Sequence, residues 1–533
     1  MNIEKHLVDR LSVLKGIKQP LEPYWKKLAQ MCSFAPELWE EDKNHRHKQS
    51  VFDNTARNDL TYFAAAMKST IAPSTQRWHR LKARRPELED NDTVQRYLQY
   101  VTELMFKLRY ASNSTFSAES DLLFNQLGVF GTSVWYVGED IGNRITYKTI
   151  PFNEVYIDRN ELGELTAVYR EYELTARRAY ELFGDKVSKE IKGCLEKEPN
   201  RKFKFLHAVE KRTDRNPNAK DYKGMPYVSY QYELENHHLV KESGYRTMPY
   251  SAPRFLGIEG LVYGDSPALQ AFYDIMTANE MGKTILRTGQ LQANPPILTS
   301  QGLVDANKLG SAGAVIRGGL DSQGRPSAVS MQYGNNLAVT LDMQQTVRAQ
   351  IDRAFLVPLF QALTQEKEMT ATEVEKREVE KAMLLAPMCE RIANEWLNAN
   401  ITRELDIISQ YGLLDGVPDE LMEEGSIAVE FESPFVHLQE SAQITGMYKW
   451  LEATMTMAQA DPSVLDILNF TEASRKIANY YDVDMSAIRS REEVQALGEQ
   501  RAEEQQAANL LQASEVLTKS MKNIGYKGGK FGF

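Results

Sequence analysis

Tyr263-Gly264-Asp265-Ser266-Pro267-Ala268-Leu269-Gln270 is the stretch from which the fold of this 533-residue chain is read. Gly264-Asp265-Ser266-Pro267 is a helix start: a polar N-cap followed by proline at the first helical position, where its missing N–H has no partner to lose. The spacing predicts a helix to about Gln292, with Leu269, Phe272, Ile275, Met276, Ile285 and Leu286 forming an apolar stripe. Asn294-Pro295-Pro296 stops it. Residues 295–334 are rich in Gly and Ser, with short apolar runs at 296–298 and 314–316, and predict a compact β-containing insertion. A second helix is predicted over 335–356, with Val347, Ile351, Ala354 and Phe355 on one face. Two long helices bracketing a small β insert make a helical hairpin with a decorated tip.

Upstream, helical spacing marks 60–71, 94–108 and 117–127. The period then changes. Residues 132–137 (TSVWYV), 144–150 and 154–157 are β-branched and aromatic and read as short strands, as do 203–212 and 227–235, with a helix over 174–183 between them. Residues 129–260 are therefore α+β, and the whole chain reads as α+β, mainly helical. Downstream of Val357-Pro358, a polar stretch over 364–369 leads to Thr370-Ala371-Thr372-Glu373, a capping box. It opens a predicted helix over 372–410 with Glu373–Arg377 and Lys376–Glu380 at i,i+4 and a kink at Pro387. Residues 427–432 alternate like one strand, and 437–480 are helical. From 489 to about 517 the chain is Glu/Gln/Ala-rich, and Val494, Leu497, Leu510, Leu511 and Val516 are too sparse to fold a helix without partners. Residues 519–533 carry four lysines and no acid, which predicts a flexible basic tail.

A chain this long exceeds the roughly 250–300 residues at which a single core stops growing, so about three or four domains are expected. Hydrophobic residues at 42% and charged residues at 26% exclude wholesale disorder. A net charge of -10 argues against a protein that grips nucleic acid over a wide basic surface, but leaves room for one that touches DNA without holding it. Cys32, Cys194 and Cys389 are far apart and odd in number, which fits neither a disulfide framework nor a zinc site. Residues 1–15 alternate charges with Leu and Val, so no signal peptide is expected. No run of about 18 apolar residues predicts a membrane span.

Catalytic motifs were sought without success. Gly310, Gly313, Gly318 and Gly319 match no phosphate-loop spacing. Gly264-x-Ser266-x-Ala268 resembles a nucleophile elbow, but the following Pro267 has no N–H to lend an oxyanion hole, so Ser266 is read as a helix cap. His45-Arg46-His47 and His237-His238 lack a third ligand and read as solvated loops. Asp482 and Asp484 read as a helix cap ahead of a cation site. Arg77, Arg80, Lys82, Arg84 and Arg85 cluster around Trp78 and His79, but acids follow at once, so a solvated face or subunit contact is favoured over a nucleic-acid site. No catalytic residue, cofactor or metal is expected. A large chain of this kind, whose helices need neighbours to bury their faces, points to assembly.

The order of these elements resembles the head-to-tail connector, or portal, proteins of short-tailed bacteriophages, over roughly residues 20–490. The resemblance is carried by 131–137 (GTSVWYV), like the family's Gly-initiated strand after a long helix; by 263–270 (YGDSPALQ), like the start of its first stem helix; by Ala293-Asn294-Pro295-Pro296, like that helix's exit; and by 369–374 (MTATEV), like the helix start after its tunnel loop. It implies a wing over 1–262 and 371–434, stem helices over 263–294 and 335–356, a clip over 295–334, a tunnel loop over 357–370, a crown over 435–490 and a C-terminal barrel helix with a basic tail over 491–533.

The resemblance further implies a dodecameric ring at one capsid vertex of the virion, assembled in the host bacterial cytoplasm and not inserted in a membrane. Double-stranded DNA would be packaged through it by a terminase and ejected through it at infection. Terminase, tail adaptor and nozzle proteins would be its partners, with the major capsid protein and scaffolding or internal core proteins around it. Thr364, Gln365, Glu366, Lys367 and Glu368 would face the channel, the alternative being a loop outside the ring. Lys283, Arg287, Arg348 and Arg353 are candidates for the stem lumen. Helix 265–293 sums to a charge of -1 and helix 335–356 to 0, so a duct built from them would release few counterions and let DNA slide. Ile351 and Phe355 are expected to be needed for ring formation. Lys519, Lys522, Lys527 and Lys530 are candidate DNA contacts inside the capsid, against the alternative of a disordered tail. The rival readings are another virion structural protein, scaffold or tail adaptor, or an enzyme with an unrecognised site.

Overall fold

The structure, a computed structural model, describes residues 3–39, 51–88, 91–140, 144–299, 315, 320, 322–331, 337–364, 383–421, 427–431, 434–480, 483 and 487–525. It is a mixed α and β fold that divides into two compact units. The first comprises 1–78, 105–413 and 433–438; the second 79–104, 414–432 and 439–533.

The first unit is organised around an antiparallel five-stranded sheet, β4 (Val155–Arg159), β5 (Leu165–Thr175), β6 (Lys202–Lys211), β7 (Tyr227–Glu233) and β8 (His238–Tyr245), in sequential order. The period-2 alternation of β6 gives each face its own core. Leu206 and Ala208 join Leu7, Leu11 and Leu14 of α1 (Ile3–Lys18). Phe203 and Phe205 join Ala176 and Ala179 of α6 (Ala176–Phe183) and Ile191 of α7 (Lys189–Lys197). The basic residues of α1 go to the sheet as well: His6 lies 2.9 Å from Glu210, Lys15 2.5 Å from Glu171, and Arg10 pairs with Asp158. Lys18 is fully buried and donates to the carbonyl oxygens of Phe152 and Val155 at 2.6 and 3.0 Å, and burial pulls its pKa down to about 7.

A second sheet has the order β3 (Arg144–Ile150), β2 (Val134–Asp140), β9 (Tyr250–Ser251). Buried His207 of β6 links the two sheets. Its Nδ1 lies 2.7 Å from the Tyr250 hydroxyl and its Nε2 2.9 Å from Ser229 Oγ, and burial pushes its pKa down to about 3, which keeps it neutral.

The helices α2 (Glu22–Met31), α3 (Thr55–Ile71) and α5 (Phe116–Phe130) complete the first unit with α12 (described over 383–392) and α13 (Ala399–Gln410), which continue one another through a π-helical turn at Ala393–Asn398. That turn is the irregularity observed in the described part of the helix for which a kink at Pro387 was predicted. It brings Glu395 onto Arg254, whose main-chain N–H and guanidinium donate to it at 2.9 and 2.7 Å.

At the heart of this unit Arg109 and Glu404, 0% and 1% exposed, form an ion pair with contacts of 2.5 and 3.2 Å. Tyr147 and Asn400 each donate to the same carboxylate at 2.7 Å, and Trp135 Nε1 donates to Asn400 at 3.0 Å. The Arg109 guanidinium lies 4.4 Å from the Trp78 ring centre, and Phe116 packs against Trp135, Tyr147 and Trp396 at 5.1–5.9 Å.

The second unit pairs β1 (His79–Ala83) with β12 (Ile427–Phe431) and carries the first part of α4 (Asp92–Arg109), most of α14 (Pro434–Ala458), α15 (Phe470–Tyr480) and α16 (Arg491–Gly525). Of the basic cluster at 77–85, Arg80 and Lys82 stand on β1. His79, Leu81 and Ala83 are buried, while Lys82 and Arg80 reach Glu430 at 2.6 and 3.6 Å. Trp78, expected beside them, is a core residue of the first unit.

Several expectations are corrected. The helix predicted over 174–183 starts only at Ala176, because Leu174 and Thr175 end β5. β5 itself, β8 and β1 were not predicted. The helix predicted to end near 517 runs to Gly525, so Lys519 and Lys522 stand on a helix and not in a flexible tail. The His45–His47 run, the glycines at 310–319, the capping box at 370–373 with its ion pairs, Asp482 and Asp484 lie outside the described residues.

The buried pair yields a test. Glu404→Gln leaves a guanidinium buried without its counter-ion and is expected to destabilise the first unit by about 3–5 kcal/mol. Arg109→Met with Glu404→Gln removes both charges and is expected to recover part of that loss. Urea unfolding followed by tryptophan fluorescence measures both; a double variant no more stable than Glu404→Gln would show that the charge is not what matters.

Candidate functional site

The helical hairpin is rooted where two of the quoted sequence stretches cross. Gly131 ends α5 at φ +73°, and a Cβ there would lie 2.4 Å from the carbonyl oxygen of Gly264; one on Gly264 would lie 2.6 Å from the oxygen of Gly131. The first position needs glycine for its left-handed backbone, and both need it for the close approach. Side chains lock the crossing. Thr132 Oγ1 accepts the Gly264 N–H at 2.8 Å, and Ser266 Oγ donates to the Val129 carbonyl at 2.9 Å. Ser266 Oγ also accepts the Leu269 N–H at 2.9 Å, the N-cap that the sequence predicts.

Ser266 caps a short helix, α8 (Pro267–Gln270), and after a break at Ala271 the chain enters α9 (Phe272–Ala293), which Asn294 ends. The predicted helix is thus two. The insertion carries the antiparallel pair β10 (Ile297–Thr299) and β11 (Ala328–Ser330), and α10 (Leu337–Ala354) returns antiparallel to the incoming strand of the hairpin. Leu356, at φ +60°, turns the chain into α11 (Val357–Thr364), where Val357 and Phe360 are buried. The segment read as a tunnel loop over 357–370 therefore opens with a helix.

Residues 52–59 wedge into the base of the hairpin. The Phe52 N–H donates to Asn279 of α9 at 2.8 Å, and a Cβ on Gly282 would meet the Phe52 oxygen at 2.9 Å. Asp53, with a side chain 3% exposed, accepts from the Thr55 N–H at 2.9 Å, Gln344 at 3.2 Å and Arg348 Nε at 2.8 Å. Burial opposes its ionisation, but the Thr55 hydrogen bonds and Arg348 outweigh that and hold its pKa below the ordinary value. Six residues on, Asp59 of α3 is buried beside Asp352 of α10. Burial first, then the Asp352 and Asp53 carboxylates, push its pKa up to about 8.

Ile351 and Phe355, expected to be needed for ring formation, are 1% and 0% exposed within the chain, and Phe355 packs on Phe63 at 6.3 Å. They fix the base of the hairpin to α3. Other faces of the hairpin carry large apolar side chains open to solvent: Tyr273 is 75% exposed, Leu286 52% and Met343 53%. Between α9 and α10 opens a groove of about 390 Å³ lined by Met276, Met281, Thr284 and Thr340.

The stem candidates separate into two groups. Arg348 is committed to Asp53, whereas Lys283, Arg287 and Arg353 are exposed, Lys283 lying 3.5 Å from Glu280. Thr364 is the last residue of α11; Gln365, Glu366, Lys367 and Glu368 lie outside the described residues, as do Lys527 and Lys530. Asp53, Asp59 and Gln344 carry no sequence signal, because their partners lie about 290 residues away. Among the described residues no three His, Cys, Asp or Glu side chains are grouped to hold a metal ion, and no helix is long and apolar enough to cross a membrane.

Residues 4–488 match the family described as bacteriophage head to tail connecting protein, and the chain belongs to that family. Two relatives agree. The "Probable portal protein" of Bordetella phage BPP-1 is 26% identical over 517 residues, covering 95% of this chain and 92% of the relative; the "Portal protein" of Salmonella phage epsilon15 is 24% identical over 535 residues, covering 98% and 95%. The function is that of a head-to-tail connector, or portal, of a bacteriophage.

The Asp59 carboxyl gives this site a pH dependence. Its folded pKa lies above its unfolded one, so its contribution is fully present below about pH 4 and is lost as the pH rises to about 8. Asp53, shifted the other way, acts only on the acid side of that window. Asp59→Asn is expected to flatten the fall in apparent melting temperature between about pH 4 and pH 8 and to leave the variant more stable than wild type at the upper end. Parallel melting curves for both proteins in that window would disprove the acid pair.

Proposed function

We propose that copies of the chain close into a ring, twelve by the family resemblance, whose bore conducts double-stranded DNA. The observation that carries this is the hairpin: its base is locked to its own chain by Asp53, Asn279 and Phe355, while its remaining faces expose large apolar side chains that a monomer leaves in water. A face of this kind, met by a different face of the next copy, is a heterologous contact that closes into a ring. In this reading 263–294 and 335–356 are the stem, 295–334 the clip that docks terminase and then tail adaptor and nozzle proteins, 1–262 and 371–434 the wing, and 435–490 the crown. The channel loop lies within 357–370, with Gln365 and Lys367 nearest the DNA. Lys283, Arg287 and Arg353 are the stem cations left to meet phosphates. Lys283 is partly offset by Glu280, and with so few free cations the wall lets a duplex slide. The protein is then a structural component of the virion at the head-tail junction and performs no catalysis of its own, the motor being the terminase.

Light scattering of the purified protein tests the ring. Twelve copies of a 60.7 kDa chain give about 730 kDa, and negative-stain images are expected to show a central hole. Leu286→Asp with Met343→Asp places charges on exposed positions, so the variant is expected to fold with unchanged circular dichroism and yet to lose most of its ring fraction. Undiminished ring yield in that variant would remove the hairpin from the interface.

A further inference from the structure

α14 and α15 enclose a groove of about 450 Å³ lined chiefly by Tyr448, Leu451, Met455, Phe470 and Ile477. Its walls stand open to solvent: Tyr448 is 45% exposed, Met455 56% and Phe470 47%. A cleft of thioether and ring surfaces suits aromatic side chains, which pack edge or face against both. Among the described residues lining it, Glu452 is the one that carries a formal charge.

The chain itself contains a segment of complementary chemistry. After Gly525 the sequence reads Tyr526-Lys527-Gly528-Gly529-Lys530-Phe531-Gly532-Phe533, with three aromatic rings, two cationic side chains and no acidic one. Its reach decides whose groove it can occupy. α16 is anchored beside α15, with Arg491 3.3 Å from Glu472 and its main-chain N–H on Asp92 at 2.6 Å. From that anchor its 35 residues run about 52 Å at 1.5 Å per residue. Residue 533 can lie at most about 29 Å from the helix end. A straight α16 therefore keeps residue 533 at least about 23 Å from the anchor on α15, the helix that also builds the groove, which favours a neighbour's groove over the chain's own. Along the way, residues 501–510 of α16 are all exposed and Leu510 is 70% exposed, so this stretch of the helix is bare of cover from its own chain.

We propose that residues 526–533 of one copy dock in the α14–α15 groove of a neighbouring copy, with Phe531 and Phe533 as the aromatic anchors and Lys527 and Lys530 turned toward Glu452. The proposal rests on the ring reading, and it makes α16 a strap laid across the next subunit in place of one stave of an axial barrel. Groove and tail are different surfaces, so the contact is heterologous and repeats around a ring.

Phe531→Cys combined with Met455→Cys, in full-length protein carrying Cys194→Ser because Cys32 and Cys389 are buried, tests this under mild oxidation. Non-reducing gels are expected to show a ladder of covalent multimers, formed at least about tenfold faster than with either cysteine alone because docking raises the local thiol concentration. Rings that form by light scattering but give no ladder overturn the tail assignment and leave the ring reading intact. An intrachain disulfide alone, seen as a monomer of altered mobility, overturns the choice of a neighbouring copy. A chain that stays at 60.7 kDa overturns the ring reading and the strap with it.

Discussion

The Arg109–Glu404 pair closes the first unit. The chain leaves this point at Arg109, builds both sheets and the hairpin, and returns to it 295 residues later. Closing so long a loop costs more entropy than any local contact restores, so the closure must be strong and must occur in one register. A buried ion pair gives register more readily than net stability, because an unmatched charge in the interior is far more costly than an unmatched methyl. The carboxylate is also met by Tyr147 and Asn400, and the guanidinium stacks on Trp78. A slip of one residue in α13 would turn Glu404 away from Arg109 and Tyr147 together.

The same logic recurs on a smaller scale at the hairpin. Its position owes little to apolar burial beyond Ile351 and Phe355 at its foot, since only Ile275, Ala278 and Asn279 of α9 are buried. It is set by a few directional contacts at the base: two glycine backbones in contact, a serine that caps a helix and bonds a neighbouring carbonyl, and an aspartate that takes hydrogen bonds from two residues of α10. A device that must present its faces to other copies cannot use those faces to hold itself upright. Polar contacts concentrated at the base leave the apolar surface for assembly. The buried Asp59–Asp352 pair works against this rigidity, as two carboxyls forced together make the junction of α3 and α10 the part of the base most sensitive to protonation.

What was legible in the sequence follows from how far each signal reaches. The Ser266 cap, Pro267 and the Asn294 stop act within four residues, and they mark where α8 begins and α9 ends but not the break at Ala271 between them. The strands 144–150 and 427–431 alternate cleanly and were found. β5 was missed because LTAVYREYELT interleaves charged residues with its apolar ones, and its buried Val168 and Tyr169 are adjacent, as befits a strand covered on both faces. β1 was hidden for a related reason: its alternate residues Arg80 and Lys82 suggested a basic patch until Glu430 of the paired strand was placed opposite them. Ile351 and Phe355 were correctly seen as one apolar face, but periodicity reports that a face is buried without saying against what. The partners of Asp53 and Arg109 lie about 295 residues away, beyond any local pattern.

Charge distribution ties fold to function at the last step. Among the described residues of the hairpin, Arg348 is held by Asp53 and Lys283 lies near Glu280, while Arg287 and Arg353 are exposed. Every phosphate fixed by a lysine or arginine releases a counterion and deepens a trap. A conduit must avoid that, because DNA that gains several kcal/mol at one ring position must lose it again at the next. In the proposed ring, stem cations offset by neighbouring acids would keep the duplex solvated and the energy along its path nearly level. In the proposed ring Asp53 would then serve two ends: it fixes α10 in place and, by the same hydrogen bonds, partly neutralises Arg348, whose side chain stays 43% exposed.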